Sequence, residues 1–241
     1  MSLPFAYPCD NYVDAILSNR MIRKALRLFA NKYCDEQIQN IKSSAQLVTP
    51  NTHPHLYSLL KNCYNSLDVQ EIPEVYITGR LKGINALSLG SDDDPIILIS
   101  CKAVIGLSNG EMQFLIGHEL GHILQKNLMC HTIKGLLDKL NSKSEILGPI
   151  VSDLIEVPLN KWYRCAEYTA DRAGLICCKD IDHVYSLIRK IAGTERLSIA
   201  PSLMEIYRDH PYLDSRIKTL EEYNFNKKRY EYQRSSSRNN Q

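Results

Sequence analysis

Residues 108–126, SNGEMQFLIGHELGHILQK, decide how the chain is read. Ser108 and Glu111 have the spacing of a capping box, in which the serine oxygen bonds the third helical amide and the glutamate reaches back, so a helix is expected over about 109–126. Residues four apart share a helix face, so His118 and His122 present their imidazoles to one point. Two neutral imidazoles at that spacing suit one Zn2+. Glu119 lies about a third of a turn round, placed to reach a water at the metal as a general base without itself binding the metal. Gly117 and Gly121 each cost the helix about 1 kcal/mol relative to alanine. Their expected return is a bare backbone against which a neighbouring strand or helix can lie closely.

A catalytic zinc keeps an open position beside three protein ligands, so the chain must supply one more. The best downstream candidate is Glu167 in RCAEYTADRAG, residues 164–174, which also reads as helix. Asp171 follows at i+4 on the same face, where a carboxylate can accept the second ring N–H of a ligating histidine, setting its tautomer. Taken alone, Glu167 and Asp171 would be a solvated face salted by Arg164 and Arg172. The histidine motif upstream weighs against that alternative.

The rest of the chain frames this site. At 241 residues, with 44% hydrophobic and 23% charged residues, it is long enough for one sizeable core and reads as a globular protein. Net charge is +2; five basic residues against Glu231 in 224–241 supply +4 of positive excess, leaving the remainder at −2, which argues against a nucleic-acid-binding body. The eight cysteines lack paired metal-ligand spacing, and the first ten residues resemble no secretory signal, so reduced thiols and a cytoplasmic location are expected. The longest strongly apolar stretch, PIILISCKAVIGL, contains Lys102 and is too short to span a bilayer.

Residues 11–44 read as a basic amphipathic helix, compatible with weak membrane-surface contact and expected to pack on the domain with its charges in water. A break at 47–54 precedes a short helix, HLYSLLKNCYNSL. Three extended runs, EVYIT, NALSL and PIILIS, separated by turn chemistry, predict a small sheet ahead of the motif helix. Helical patterns follow at 134–142, 146–178, 181–193 and 215–223, with Pro149 and Pro158 as boundaries or kinks. The polar, basic segment after 224 is expected to be disordered.

Several of these residues together carry a resemblance. HELGH followed by Arg164, Glu167, Tyr168, Ala170, Asp171, Arg172, Ala173 and Gly174 resembles the M48 family of gluzincin metallopeptidases, which includes the CAAX prenyl endopeptidase and the heat-shock protease HtpX. Residues 53–77, the NALSLG and IILISCKAVIGL runs, and DHPYLDSRIKTLEE at 209–222 extend the likeness, in order, from about 50 to 224. The resemblance implies an α+β fold: a mainly helical, zincin-like metallopeptidase domain with a small mixed sheet beside the motif helix. It implies one Zn2+ per chain, held by His118, His122 and Glu167, with Glu119 as catalytic base. It further implies that His210 stabilises the oxyanion with Arg216 beside it, and that Asn85 and Ala86 on an edge strand hold an extended peptide or protein substrate. Departures from the family pattern are Leu87 in place of an aromatic, Ala166 in place of a basic residue, and no apolar hairpin between the two site helices.

The expected organisation is a helical extension over 1–46, the metallopeptidase domain over 47–223 and a basic tail over 224–241. The expected function is zinc-dependent endoproteolysis with Glu119 as general base. Two alternatives stay open: hydrolysis of a non-peptide amide or an epoxide at the same kind of site, and a gated or non-catalytic zinc-stabilised scaffold.

Overall fold

The computed structural model describes residues 3–8, 38–91, 94–126, 128, 157–196 and 213–238. Its centre is a four-stranded mixed sheet in the order β1-β2-β4-β3, formed by β1 (Gln46–Leu47), β2 (Glu74–Thr78), β3 (Ala86–Gly90) and β4 (Pro95–Ser100). β2 and β4 run parallel, while β1 on β2 and β3 on β4 are antiparallel. Burial follows strand position. β4, PIILIS, is apolar up to its last residue, Ser100, and buried on both faces, as suits an inner strand. β3, ALSLG, alternates buried and accessible residues and forms an edge. Gly90, at φ +110°, closes the β3–β4 turn, where an ideal Cβ would come within 2.4 Å of the Asp94 carbonyl oxygen.

Six helices are labelled among the described residues: α1 (Pro54–Leu67), α2 (Cys101–Gly106), α3 (Asn109–Leu124), α4 (Val157–Cys178), α5 (Ile181–Arg196) and α6 (Leu213–Arg238). α1 begins with proline, whose missing N–H costs nothing at a first turn, and ends at Asp68 in the left-handed region. The expected capping box of α3 is present in both directions. The main core joins one sheet face (Val75, Ile77, Ile97, Ile99) to Leu60 and Cys63 of α1 and Ile116 and Leu120 of α3. Tyr76, Ile96 and Leu98 on the other face pack with Ile38, Ile41 and Ala45.

The three expected strands are found within a residue of their expected bounds, and β1 adds a short fourth at the start of the expected linker. Of the N-terminal helical expectation, 38–42 are helical and 11–37 lie outside the described residues, as do the patterns at 134–142 and 146–156. Over 224–238 the structure corrects the sequence reading. The segment continues α6 instead of being disordered, and it holds no glycine or proline to break the helix. No described helix is long and apolar enough to cross a membrane.

Candidate metal centre

α3 and α4 lie against each other, and the glycines of α3 show why they can come so close. A Cβ on Gly121 would sit 2.7 Å from Ala170 Cα and 3.0 Å from Ala173 Cβ; one on Gly117 would sit 2.7 Å from Cys177 Sγ and 2.9 Å from the Ala173 carbonyl oxygen. The close neighbour expected from the sequence is therefore α4, the helix that carries Glu167.

This packing brings three ligand-type atoms together. His118 and His122 reach from α3 with their Nε2 atoms 3.1 Å apart. Glu167 reaches from α4, with Oε2 3.6 Å from His118 Nε2 and Oε1 3.3 Å from His122 Nε2. All three residues are buried, and one ligand atom from each lies within 4.8 Å of the others. His118 Nδ1 donates to Asp171 Oδ1 at 3.1 Å, so its Nε2 is left as a lone-pair donor facing the other two. Two imidazoles and a carboxylate in a closed, buried cluster are a fitting donor set for zinc.

Arg216 of α6 completes the surroundings. Its Nε and Nη2 donate to Asp171 Oδ2 and Oδ1 at 2.7 and 2.6 Å, and its Nη1 lies 3.2 Å from Glu167 Oε2. Burial alone would favour a neutral Asp171, but the Arg216 charge and its hydrogen bonds outweigh it and hold the carboxyl at about 2. Burial likewise opposes the charge on Arg216, and Asp171 and Glu167 more than restore it. At His118 burial dominates and lowers the pKa, favouring the neutral ring a metal requires, with the Asp171 hydrogen bond acting against it.

Glu119 is buried beside this cluster and turned toward the sheet. Its Oε2 accepts the Ser88 main-chain N–H at 2.7 Å and the Ser88 hydroxyl. Asn85 directly precedes edge strand β3, and Ala86 begins it. The Asn85 main chain is engaged with Ser100, its N–H donating to Oγ at 3.1 Å and its carbonyl accepting from N at 2.9 Å. Arg216 sits among carboxylates. His210 lies outside the described residues.

Cys165 is disulfide-bonded, which corrects the expectation that every thiol is reduced; connectivity is not readable from spacing. Cys63, Cys101, Cys177 and Cys178 are free. Sequence reasoning also passed over Ser88. The signal was there: strand alternation puts it on the buried face with Ala86 and Gly90, and a polar residue on that face needs a partner.

A histidine pair on one helix and a carboxylate on another, beside a mixed sheet of which β3 is an edge among the described residues, define a candidate metallohydrolase of α+β architecture. Residues 50–224 match the model of peptidase family M48, and the chain belongs to that family of metallopeptidases. It is 30% identical over 158 residues to the chloroplastic plastoglobule-localized metallopeptidase 48 of Arabidopsis thaliana, covering 65% of this chain and 45% of that protein. A protease HtpX homolog of Acaryochloris marina is 27% identical over 106 residues, covering 44% of this chain and 36% of the relative. A second HtpX homolog, from Thermodesulfovibrio yellowstonii, is 22% identical over 215 residues, covering 70% and 74%. The chain thus spans less than half the length of the first two relatives. No solved structure matches it.

Proposed function

We propose that the chain is a zinc-dependent endopeptidase with a zincin-like catalytic domain over 47–223, flanked by a helical extension at 1–46 and a basic segment at 224–241. The observation that carries this reading is the buried convergence of His118 and His122 with Glu167, one residue from a carboxylate that faces an edge strand. His118, His122 and Glu167 would hold one zinc, which supplies a Lewis acid for the scissile carbonyl and lowers the pKa of a water toward neutrality.

The chain's own groups supply the remaining chemistry. Glu119 takes the proton of the attacking water and returns it to the leaving amine. Asp171 holds the His118 ring in the tautomer that directs Nε2 inward, and Arg216 holds Asp171 ionised while its Nη1 lies 3.2 Å from Glu167 Oε2. Substrate lies extended along β3, paired through its backbone, with the Asn85 side chain and the Ala86 main chain as contacts. His210 donates to the developing oxyanion.

The test is mass-spectrometric cleavage of a mixed peptide library by zinc-loaded wild type and Glu119→Gln. Internal cuts by the wild type alone support the reading. Equal inactivity of both, with one zinc bound per chain, counts against peptide hydrolysis and directs screening to non-peptide amides and epoxides.

A further inference from the structure

The reach of Ser88 into the site is a feature that the residues already assigned do not explain. Ser88 and the carboxylate it holds are both buried. Three contacts tie them together: the Ser88 N–H to Glu119 Oε2 at 2.7 Å, the Ser88 hydroxyl to the same oxygen, and Ser88 Oγ 3.2 Å from the Glu119 main-chain carbonyl oxygen. Both donors therefore converge on one carboxylate oxygen. Among the described residues Oε1 takes no hydrogen bond.

The backbone shows why strand and base meet here. The Asn85 carbonyl faces β4, where it accepts from Ser100. Hydrogen-bonding direction alternates along a strand, so the outward N–H groups of β3 recur at every second residue. The Ser88 N–H points away from β4, on the edge of the sheet among the described residues, and Glu119 takes the place that a fifth strand's carbonyl would fill. Meanwhile the Ser88 side chain, on the buried face, closes on the same oxygen from a second direction. A carboxylate held by two donors from different directions loses rotation about its last torsion, and a general base needs such placement, because proton transfer is efficient only within hydrogen-bond reach of the water it serves.

We propose that Ser88 is the positioning residue of the catalytic base: its main-chain N–H and hydroxyl anchor Oε2 of Glu119, leaving Oε1 as the oxygen that exchanges the proton. This rests on the endopeptidase reading and adds a residue to it. It also carries a consequence for substrate. The Ser88 N–H is engaged by Glu119, so a peptide docked on the edge pairs with the other outward groups of β3 and does not displace this one.

The experiment compares Ser88→Ala, Ser88→Thr and wild type on one peptide cut by the wild type, with zinc content measured for each. Ser88→Ala keeps the N–H and loses the hydroxyl. It is expected to retain one zinc and a KM within about twofold, while kcat falls about tenfold or more, within the range general-base placement controls. Ser88→Thr, which keeps the hydroxyl on a strand-favouring residue, restores most of kcat. A second readout needs no metal: denaturant unfolding of zinc-free Ser88→Ala, Glu119→Ala and the double variant. A real contact makes their effects on the unfolding equilibrium non-additive by several-fold. Additive effects, a Ser88→Ala kcat within twofold of wild type, or equal losses in the alanine and threonine variants would overturn the inference while leaving the peptidase reading intact. Equal inactivity of wild type and Glu119→Gln on the peptide library removes that reading, and this one with it.

Discussion

One oxygen of Asp171 accepts both the His118 ring N–H and an Arg216 N–H, so a single buried carboxylate links a ligand-type histidine to α6. Each partner should therefore be separable by substitution. Replacing Asp171 with asparagine keeps the shape but removes the charge that orders the ring and pairs the guanidinium. Zinc affinity is expected to fall by about 10–100-fold, the usual cost of losing such a partner, as read by competition with a chelating dye. Unchanged affinity would show that His118 is oriented by packing alone. His118→Ala is expected to lose zinc altogether, and Glu119→Gln to keep one per chain, measured by elemental analysis. Zinc loss from Glu119→Gln would place that carboxylate among the ligands and not at the water. Arg216→Ala leaves Asp171 and Glu167 without their guanidinium, and breaking such a buried pair typically costs about 3–5 kcal/mol. Urea denaturation of the zinc-free protein reads that loss directly.

At the scale of elements, the contact between α3 and α4 governs the site. Gly121→Ala tests it sharply, because two effects oppose. Helix propensity favours alanine by about 1 kcal/mol. The new methyl, however, meets Ala170 Cα, a backbone atom of α4 that cannot swing aside, and overpacking of this kind costs about 1–3 kcal/mol while spreading the helices. A net loss of stability with weakened zinc binding is expected. A gain in stability would mean that the two helices have slack. The N-terminus of α3 is tied differently. Buried Glu111 accepts the Ser108 N–H at 2.6 Å and pairs with Lys190 of α5 at 2.6 Å. Burial alone would raise its pKa, but Lys190, Ser186 and Ser108 prevail and lower it from 4.5 to about 2. The folded pKa is the lower one, so this contribution is fully present above pH 4.5 and is lost as pH falls through about 2. Zinc-free wild type should lose about 3 kcal/mol over that window through this group, and Glu111→Gln should lack that part of the decline. Parallel stability curves for the two proteins would refute it.

These elements also show how far the sequence could be read. The capping box, the strand runs and the i, i+4 histidines are local patterns, each set by a fixed period, and the structure holds them where those periods put them. Glu167 lies far along the chain from His122, yet its helix also carries the small residues Ala170 and Ala173 that admit Gly121. Ser88, the disulfide at Cys165 and the Arg216 carboxylate pairs depend on which segments meet in space, and no period encodes that. The helix running on past 224 was hidden for another reason. A polar stretch without apolar rhythm reads as disorder, while its propensities, with no glycine or proline, allow propagation from a helix already begun.

Across the whole molecule, segments distant in sequence close around α4. Residues 3–8 lie along it: the Tyr7 N–H donates to Thr169 Oγ1 at 3.0 Å, and Arg172 Nη1 donates to the Ala6 carbonyl at 2.9 Å. The Arg172 guanidinium also sits 5.0 Å from the Tyr7 ring centre and 4.7 Å from that of Tyr223 on α6, joining the N-terminal strap and α6 on the helix that carries Glu167. Phe5 anchors the strap in the main core, only 4% exposed. Removing that ring should cost about 3–5 kcal/mol, the range for deleting a buried phenylalanine. If the strap braces α4 against α3, Phe5→Ala should also weaken zinc binding. Urea unfolding and dye competition on the same preparations separate the possibilities. Loss of stability together with zinc affinity supports a brace; loss of stability alone makes the strap a core plug; and no loss of stability would mean that residues 3–8 do not hold this position in solution.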